Sequence, residues 1–275
     1  MRGKAELTVT VLGSGTSTGV PVAGCPCAVC TSGLPQNART RCSVLIGYGG
    51  HNILVDTTPD LRQQVLREKI RRIDAVLYTH THADHLHGID DLRPFSLTAG
   101  ASIPIFGSSE TIDFIGRSFS YIFDETLDQG YRPQLTPFRI GGDFLLFGLP
   151  VMPLPLRHGR GVSLGYRFGP LAYLTDCSAI PAASEARLQG LEVLIIDALR
   201  FTPHETHFNI PGALEVAARL APRLTLLTHL SHEVEHAADS AGLPPGVEFA
   251  YDGQCLQIAS TRQKELEFAA IRRVR

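Results

Sequence analysis

The sequence predicts an α/β protein in which two β-sheets pack face to face with helices on the outside. Three observations lead there. Segments that read as strands outnumber those that read as helices, helices occur in both halves, and the two do not alternate regularly as a doubly wound sheet requires. The 275 residues are 44% hydrophobic and 19% charged, which suits a sizeable core and excludes gross disorder. No internal repeat, low-complexity tract or long linker divides the chain, so residues 1–275 are expected to form one domain.

Taken in order, Leu7–Leu12 alternates as a strand and ends in the turn-forming run Gly13-Ser14-Gly15-Thr16-Ser17-Thr18-Gly19. Cys42–Tyr48 and Asn52–Val55 flank Gly49-Gly50 and read as a hairpin. Thr58 or Asp60 is placed to cap a helix over Leu61–Lys69, with Leu61, Val65 and Leu66 on one face. Asp74–Tyr78 is a short buried strand. From there to about Gly142 the chain reads as irregular, apart from a helix around Glu110–Ser120. Strands follow at Phe144–Phe147, Val151–Leu156, Ser163–Phe168, Leu171–Leu174 and Val193–Ile196. A helix at Pro211–Leu220 has proline in its first turn, where helices favour it. Strands at Leu224–Leu227 and Gln254–Ala259 complete the pattern.

Charge narrows the function classes. Lys+Arg 25 against Asp+Glu 27 leaves a net charge of -2, against a protein that coats long nucleic acid or an anionic membrane. No apolar run approaches the ~18 residues of a membrane span, and MRGKAELTVTVLG does not read as a secretory signal. The expectation is a globular cytoplasmic protein. Thiols in that reducing compartment read as metal ligands before disulfides, which draws attention to Cys25, Cys27 and Cys30.

The segment Tyr78-Thr79-His80-Thr81-His82-Ala83-Asp84-His85-Leu86-His87-Gly88 follows an apolar strand. Side chains two apart on extended chain point the same way, so His80 and His82 can grip one cation. If a helix begins next, Asp84 and His85 face a second position nearby. Imidazole nitrogen and carboxylate oxygen suit borderline divalent ions. His87 falls outside the pattern. Two ions need further ligands, and three later strands each end in one: His158, Asp176 and His229. Together they complete three nitrogens and a bridging carboxylate for one ion, with two carboxylates and two nitrogens for the other.

On the intact H-x-H-x-D-H, the sequence resembles the metallo-β-lactamase superfamily over nearly its whole length. Val11-Leu12-Gly13-Ser14-Gly15-Thr16-Ser17-Thr18-Gly19-Val20-Pro21, the thiol cluster and Thr228-His229-Leu230-Ser231-His232 are similar to the cyclic-phosphate phosphodiesterase branch, a relative of the tRNA 3′-processing endonucleases. The resemblance implies an αββα four-layer sandwich with two mixed sheets. It also implies one metal at His80, His82 and His158, another at Asp84, His85 and His229, and Asp176 between them. Cys177 occupies the place next to Asp176, where true β-lactamases of the superfamily use a cysteine ligand; here the Tyr-Leu-Thr-Asp context favours Asp176, with Cys177 a buried small residue. Asp56 either orients a ligand imidazole or serves as a cap or turn.

Cys25, Cys27 and Cys30, spaced C-x-C-x-x-C, can fill three corners of a tetrahedron around zinc. His232 is the candidate for the fourth corner, an arrangement the resemblance supports; this structural zinc would act in folding. Cys42 and Cys255 read as core residues.

Two divalent ions, zinc or manganese, ~3.5–4 Å apart would hold a bridging hydroxide as nucleophile and polarise a phosphoryl oxygen. The leaving alkoxide needs a proton donor. Family position favours His207, with His204 as fallback. Arg200, and Arg157 or Arg160 beside His158, are candidates for gripping phosphate, the alternative for each being a surface arginine. The run Gly13–Gly19 either offers N–H groups to an anion or simply turns the chain; it lacks the G-K-[ST] ending of a P-loop. The expected substrate is a small cyclic or diester phosphate. The alternatives are a tRNA 3′-processing endonuclease, which would need a basic arm the sequence does not offer, and a non-catalytic metal-binding or carrier protein of cofactor biosynthesis. Phe95 to Phe138 holds eight of the 20 Phe and Tyr residues, expected in core packing, against a twin subunit in a homodimer, or roofing the site.

Overall fold

In the computed structural model, the described residues are 6–126, 130, 132–258 and 272–273. The first half of the chain builds one sheet from β1 (Leu7–Gly13), β2 (Ser43–Tyr48), β3 (His51–Val55), β4 (Ala75–Leu77), β5 (Ile103–Gly107) and β6 (Leu135–Arg139). The second half builds the other from β7 (Phe144–Leu146), β8 (Leu149–His158), β9 (Gly161–Phe168), β10 (Leu171–Leu174), β11 (Val193–Asp197), β12 (Leu224–Thr228) and β13 (Val247–Phe249). The chain then returns to the first sheet with β14 (Cys255–Ile258) beside β1 and β15 (Arg272–Arg273) beside β6. Both sheets are mixed: β3 to β6 run parallel, as do β10 to β13, with antiparallel pairs beside them.

Alternation decides the layers. Val9 and Val11, Val44 and Ile46, and Ile53 and Val55 face the second sheet and meet Tyr166, Phe168, Tyr173, Ile195 and Leu226. The residues between them point the other way. Leu12, Leu45 and Leu54 pack under helices α1 (Leu61–Arg67) and α4 (Ser109–Ser118). On the far side Leu174, Leu194 and Ile196 pack under α6 (Ile210–Leu220). The other helices among the described residues are α2 (Ala83–Leu86), α3 (Arg93–Ala99), α5 (Ala182–Glu185) and α7 (His236–Ser240). The result is the expected αββα sandwich. Among the described residues, no helix is long and apolar enough to cross a membrane.

Several expectations change. The helix expected around Glu110–Ser120 is α4, but the rest of the stretch before Gly142 is not irregular: it holds α3 and the parallel strands β5 and β6. Pro104 and Pro137 lie inside those strands and obscure their signal, since proline usually demotes a strand. Leu66 is 61% exposed while Leu61 and Val65 are buried; five residues along a helix turn a side chain ~140° from its starting face. Asp60 stands at the helix start but caps nothing with its side chain, which pairs instead with Arg41 at 3.0 Å. Cys42 is buried as expected, but Cys255 is exposed on the edge strand β14. Ala259, the end of the last expected strand, lies outside the described residues. Phe95, Phe114, Phe119 and Phe123 pack against the core beneath the first helical layer and Phe106 joins the inter-sheet core; Tyr131 lies outside the described residues.

Candidate metal centres

Strand direction brings the site together. β8, β10, β11 and β12 all run the same way, because β9 is antiparallel to both β8 and β10. Their carboxyl ends deliver His158, Asp176, Asp197 and His229 to one rim, the position where α/β sheets bind ligands. The other sheet contributes Asp56 after β3 and the histidine segment after β4. Asp56, Asp176 and His229 all have positive φ (66°, 51° and 61°), a conformation costly for residues other than glycine that clusters at functional sites.

Asp176 lies at the centre. Its Oδ1 is 3.8 Å from His80 Nε2 and 3.9 Å from His158 Nε2. Its Oδ2 is 3.0 Å from His85 Nε2 and 3.4 Å from His229 Nε2. His82 Nδ1 adds to the first group, 3.4 Å from His158 Nε2, and Asp84 Oδ2 to the second, 3.2 Å from His85 Nε2. All seven sequence-predicted residues therefore meet in two groups that share one carboxylate.

The residues fit divalent cations. The Nε2 atoms of His80, His85 and His229 are buried and have no hydrogen-bond partner, although buried polar atoms ordinarily find one. Burial opposes charge on Asp176, yet His229 and His85 hold its carboxyl well below the usual range. Burial likewise opposes charge on His229, but Asp176, Asp84 and Asp197 outweigh it and lift the imidazole to about 9. Concentrated carboxylate charge with inward-facing nitrogens is what a cation site requires.

Three of the imidazoles, those of His80, His85 and His158, are oriented from behind, as metal-binding histidines usually are. Asp56, fully buried, lies 2.7 Å from His85 Nδ1 and accepts from the Thr79 N–H and hydroxyl, both at 2.8 Å. That geometry is the imidazole-orienting reading of Asp56 and not the capping one. His158 Nδ1 lies 2.8 Å from the Thr206 carbonyl.

His207 stands over the second group, its ring stacked on His229 with centroids 4.5 Å apart and 4.9 Å from His158. Asp197 Oδ2 lies 2.7 Å from His207 Nδ1 and accepts from the Cys177 N–H at 2.8 Å. Asp197 is the functional residue that sequence reasoning missed. It ends β11, and Asp176 follows β10 two residues past its end, so the strand-end signal was present. Its other oxygen faces His229 Nδ1 at 3.9 Å. His204 is exposed 5.2 Å from His207 and bonded to Thr206.

Three other candidates sit differently. Arg200 is paired with Glu233 at 2.8 Å, while Arg157 and Arg160 are exposed beside His158. The run Gly13–Gly19 turns the chain, with the N–H groups of Ser14, Gly15, Thr16 and Gly19 bonded within the protein. Cys177 is wholly buried, and His87 is exposed against Phe119.

The thiol cluster forms a separate centre. His232 Nδ1 lies 3.3 Å from Cys25 Sγ and 3.5 Å from both Cys27 and Cys30 Sγ. A tetrahedron with Zn–S about 2.3 Å and Zn–N about 2.0 Å has S···N edges of about 3.5 Å, so the four residues fit zinc. The Cys30 N–H, helped by neighbouring thiols and His232, pulls the Cys27 thiol down to about 6.

Residues 51–230 match the family described as the β-lactamase superfamily domain. The chain belongs to that superfamily. It is 44% identical, with a TM-score of 0.87, to the crystal structure of a diphosphatase from the PhnP family, covering 92% of this chain and 97% of that one. It is 38% identical over 248 residues to an octanoyltransferase of Porphyromonas gingivalis, covering 88% of this chain but spanning only 50% of that protein. It is 29% identical over 216 residues to coenzyme PQQ synthesis protein B of Methylorubrum populi, covering 69% of this chain and 72% of the relative. The superfamily fold implies divalent metal binding, in keeping with both clusters.

Proposed function

We propose that residues 1–275 form one metal-dependent hydrolase domain acting on a small cyclic or diester phosphate in the cytoplasm. Two catalytic cations, zinc or manganese, would be held by His80, His82 and His158 and by Asp84, His85 and His229 with Asp176 shared; Cys25, Cys27, Cys30 and His232 would hold a structural zinc. The observation that carries the reading is the sharing of Asp176, one oxygen toward each group. When bound, such a pair lowers the pKa of a coordinated water to about 7 and polarises a phosphoryl oxygen.

The chain's own residues would do the rest. Asp197 accepts from His207 Nδ1–H and so leaves Nε2 to hold a proton for the leaving oxygen. His204 would tune or assist from the mouth. The net charge of -2 favours a small substrate over long nucleic acid.

A second reading, cleavage of a phosphoric anhydride, is favoured by the name of the 44%-identical relative, a diphosphatase. The leaving group separates the two. An alkoxide needs a proton, whereas phosphate and p-nitrophenolate leave without one. In His207→Ala, hydrolysis of a five-membered cyclic phosphate should fall about 10²–10⁴-fold while metal content holds, and bis(p-nitrophenyl) phosphate turnover should change far less. An uninhibited diphosphate substrate cleaved faster than either ester would favour the second reading. No phosphodiester turnover by protein with both cations bound overturns the first.

A further inference from the structure

The two metal centres share a loop. His229 and His232 are separated only by Leu230 and Ser231, so one short turn serves both. Leu230 is pinned on each side, its N–H donating to the Ser14 carbonyl and its carbonyl accepting from the Thr16 N–H.

A buried side chain, that of Arg39, reaches this turn from the base of the thiol loop. Arg39 is 1% exposed. Its backbone exchanges both hydrogen bonds with Val20, at 2.7 and 2.8 Å. Val22, two residues on, donates its N–H to Cys30 Sγ at 3.3 Å and accepts from the Cys25 N–H at 3.0 Å. The guanidinium points the other way. Nη1 donates to the Ser231 carbonyl and Nη2 to the Val234 carbonyl, both at 2.9 Å, and Nη2 also donates to Asn37 Oδ1 at 3.2 Å. Asn37 Oδ1 in turn accepts from the His236 N–H, and its amide donates to Glu235. A planar fork of donors fixes two carbonyls at once, which a point charge does not. The backbone of Arg39 thus holds the thiol loop, and its side chain holds the turn between His229 and His232.

We propose that Arg39 is a positioning residue that couples the two centres, so that filling the thiol site strengthens binding of the cation held by Asp84, His85 and His229. This rests on the ligand assignments proposed above. The coupling is selective. His80, His82 and His158 lie on other segments and gain nothing directly from the turn. Coupling between sites is reciprocal, so the catalytic cation also tightens the thiol site.

The test is metal binding by the full chain, stripped and then loaded with one equivalent of Co²⁺, whose thiolate absorption reports the thiol site. Mn²⁺ titration followed by electron paramagnetic resonance then reads the catalytic groups. Filling the thiol site should tighten the second group about five- to tenfold or more, and Cys27→Ser should remove that gain. In His229→Ala, the remaining Mn²⁺ should bind equally with the thiol site filled or empty. In Arg39→Lys, both centres should still bind while the gain shrinks toward onefold; a purely structural role would weaken every site and leave the gain intact. Equal affinity in the native chain, filled or empty, overturns the proposal without recourse to any variant. A chain in which Asp84, His85 and His229 bind no cation under any condition overturns the functional reading as well.

Discussion

The two candidate metal centres are built on opposite principles. The thiol centre takes three ligands from six consecutive residues of an irregular loop, with Cys25 and Cys27 partly open to solvent. The Asp176 centre takes its ligands from the ends of three strands and from the segment running from His80 into α2, five of the seven buried. Around the first, backbone groups hold the ligands, the Val22 N–H donating to Cys30 Sγ and the Cys30 N–H to Cys27 Sγ. Around the second, Asp56, Thr79 and the Thr206 carbonyl orient His85, His80 and His158, and Asp197 orients His207. On the proposed function, the contrast is one between a folding element and a preorganised reaction site.

Substitutions at each centre should therefore fail in different ways. Asp176→Asn keeps the shape but removes the charge shared by both groups, so turnover should fall by about a thousandfold or more, with loss of bound metal in elemental analysis. A smaller effect, about a hundredfold on turnover of alkyl esters, is expected for Asp197→Asn, which can hold His207 in the wrong tautomer. Metal content there should stay within a few-fold, and a parallel loss of both cations would mean that Asp197 acts mainly through His229. Cys27→Ala should do the least to chemistry: zinc content falls by one equivalent and Tm drops by roughly 5 °C or more in calorimetry, while molecules that remain folded and loaded with catalytic metal keep turnover within about tenfold. If instead Cys27→Ala abolished turnover in fully loaded protein, the division between the two centres would be wrong.

The same contrast explains what the sequence made legible. His80, His82, Asp84 and His85 are contiguous, and a dense cluster after an apolar strand stands out without any fold. So do Cys25, Cys27 and Cys30. His158, Asp176 and His229 were visible only because each follows an apolar run. Asp197 has that signal too, but one Asp after one strand resembles any turn residue, and only the folded chain, in which Cys177 bonds both Asp197 and Phe208, places it beside His207. Arg39 carried no signal, since nothing local marks an arginine whose partners are carbonyls some 190 residues away. The sandwich was readable from alternation, whereas β5 and β6 were hidden by Pro104 and Pro137, whose strands are stabilised by parallel neighbours.

The central claim is that Asp176 divides a pair of cations. Anomalous diffraction at the zinc and manganese edges, on crystals grown with both metals, tests it directly. The account predicts two peaks flanking the Asp176 carboxylate, with a third, zinc, among Cys25, Cys27, Cys30 and His232. A single peak beside Asp176, or none, at full metal loading would contradict it.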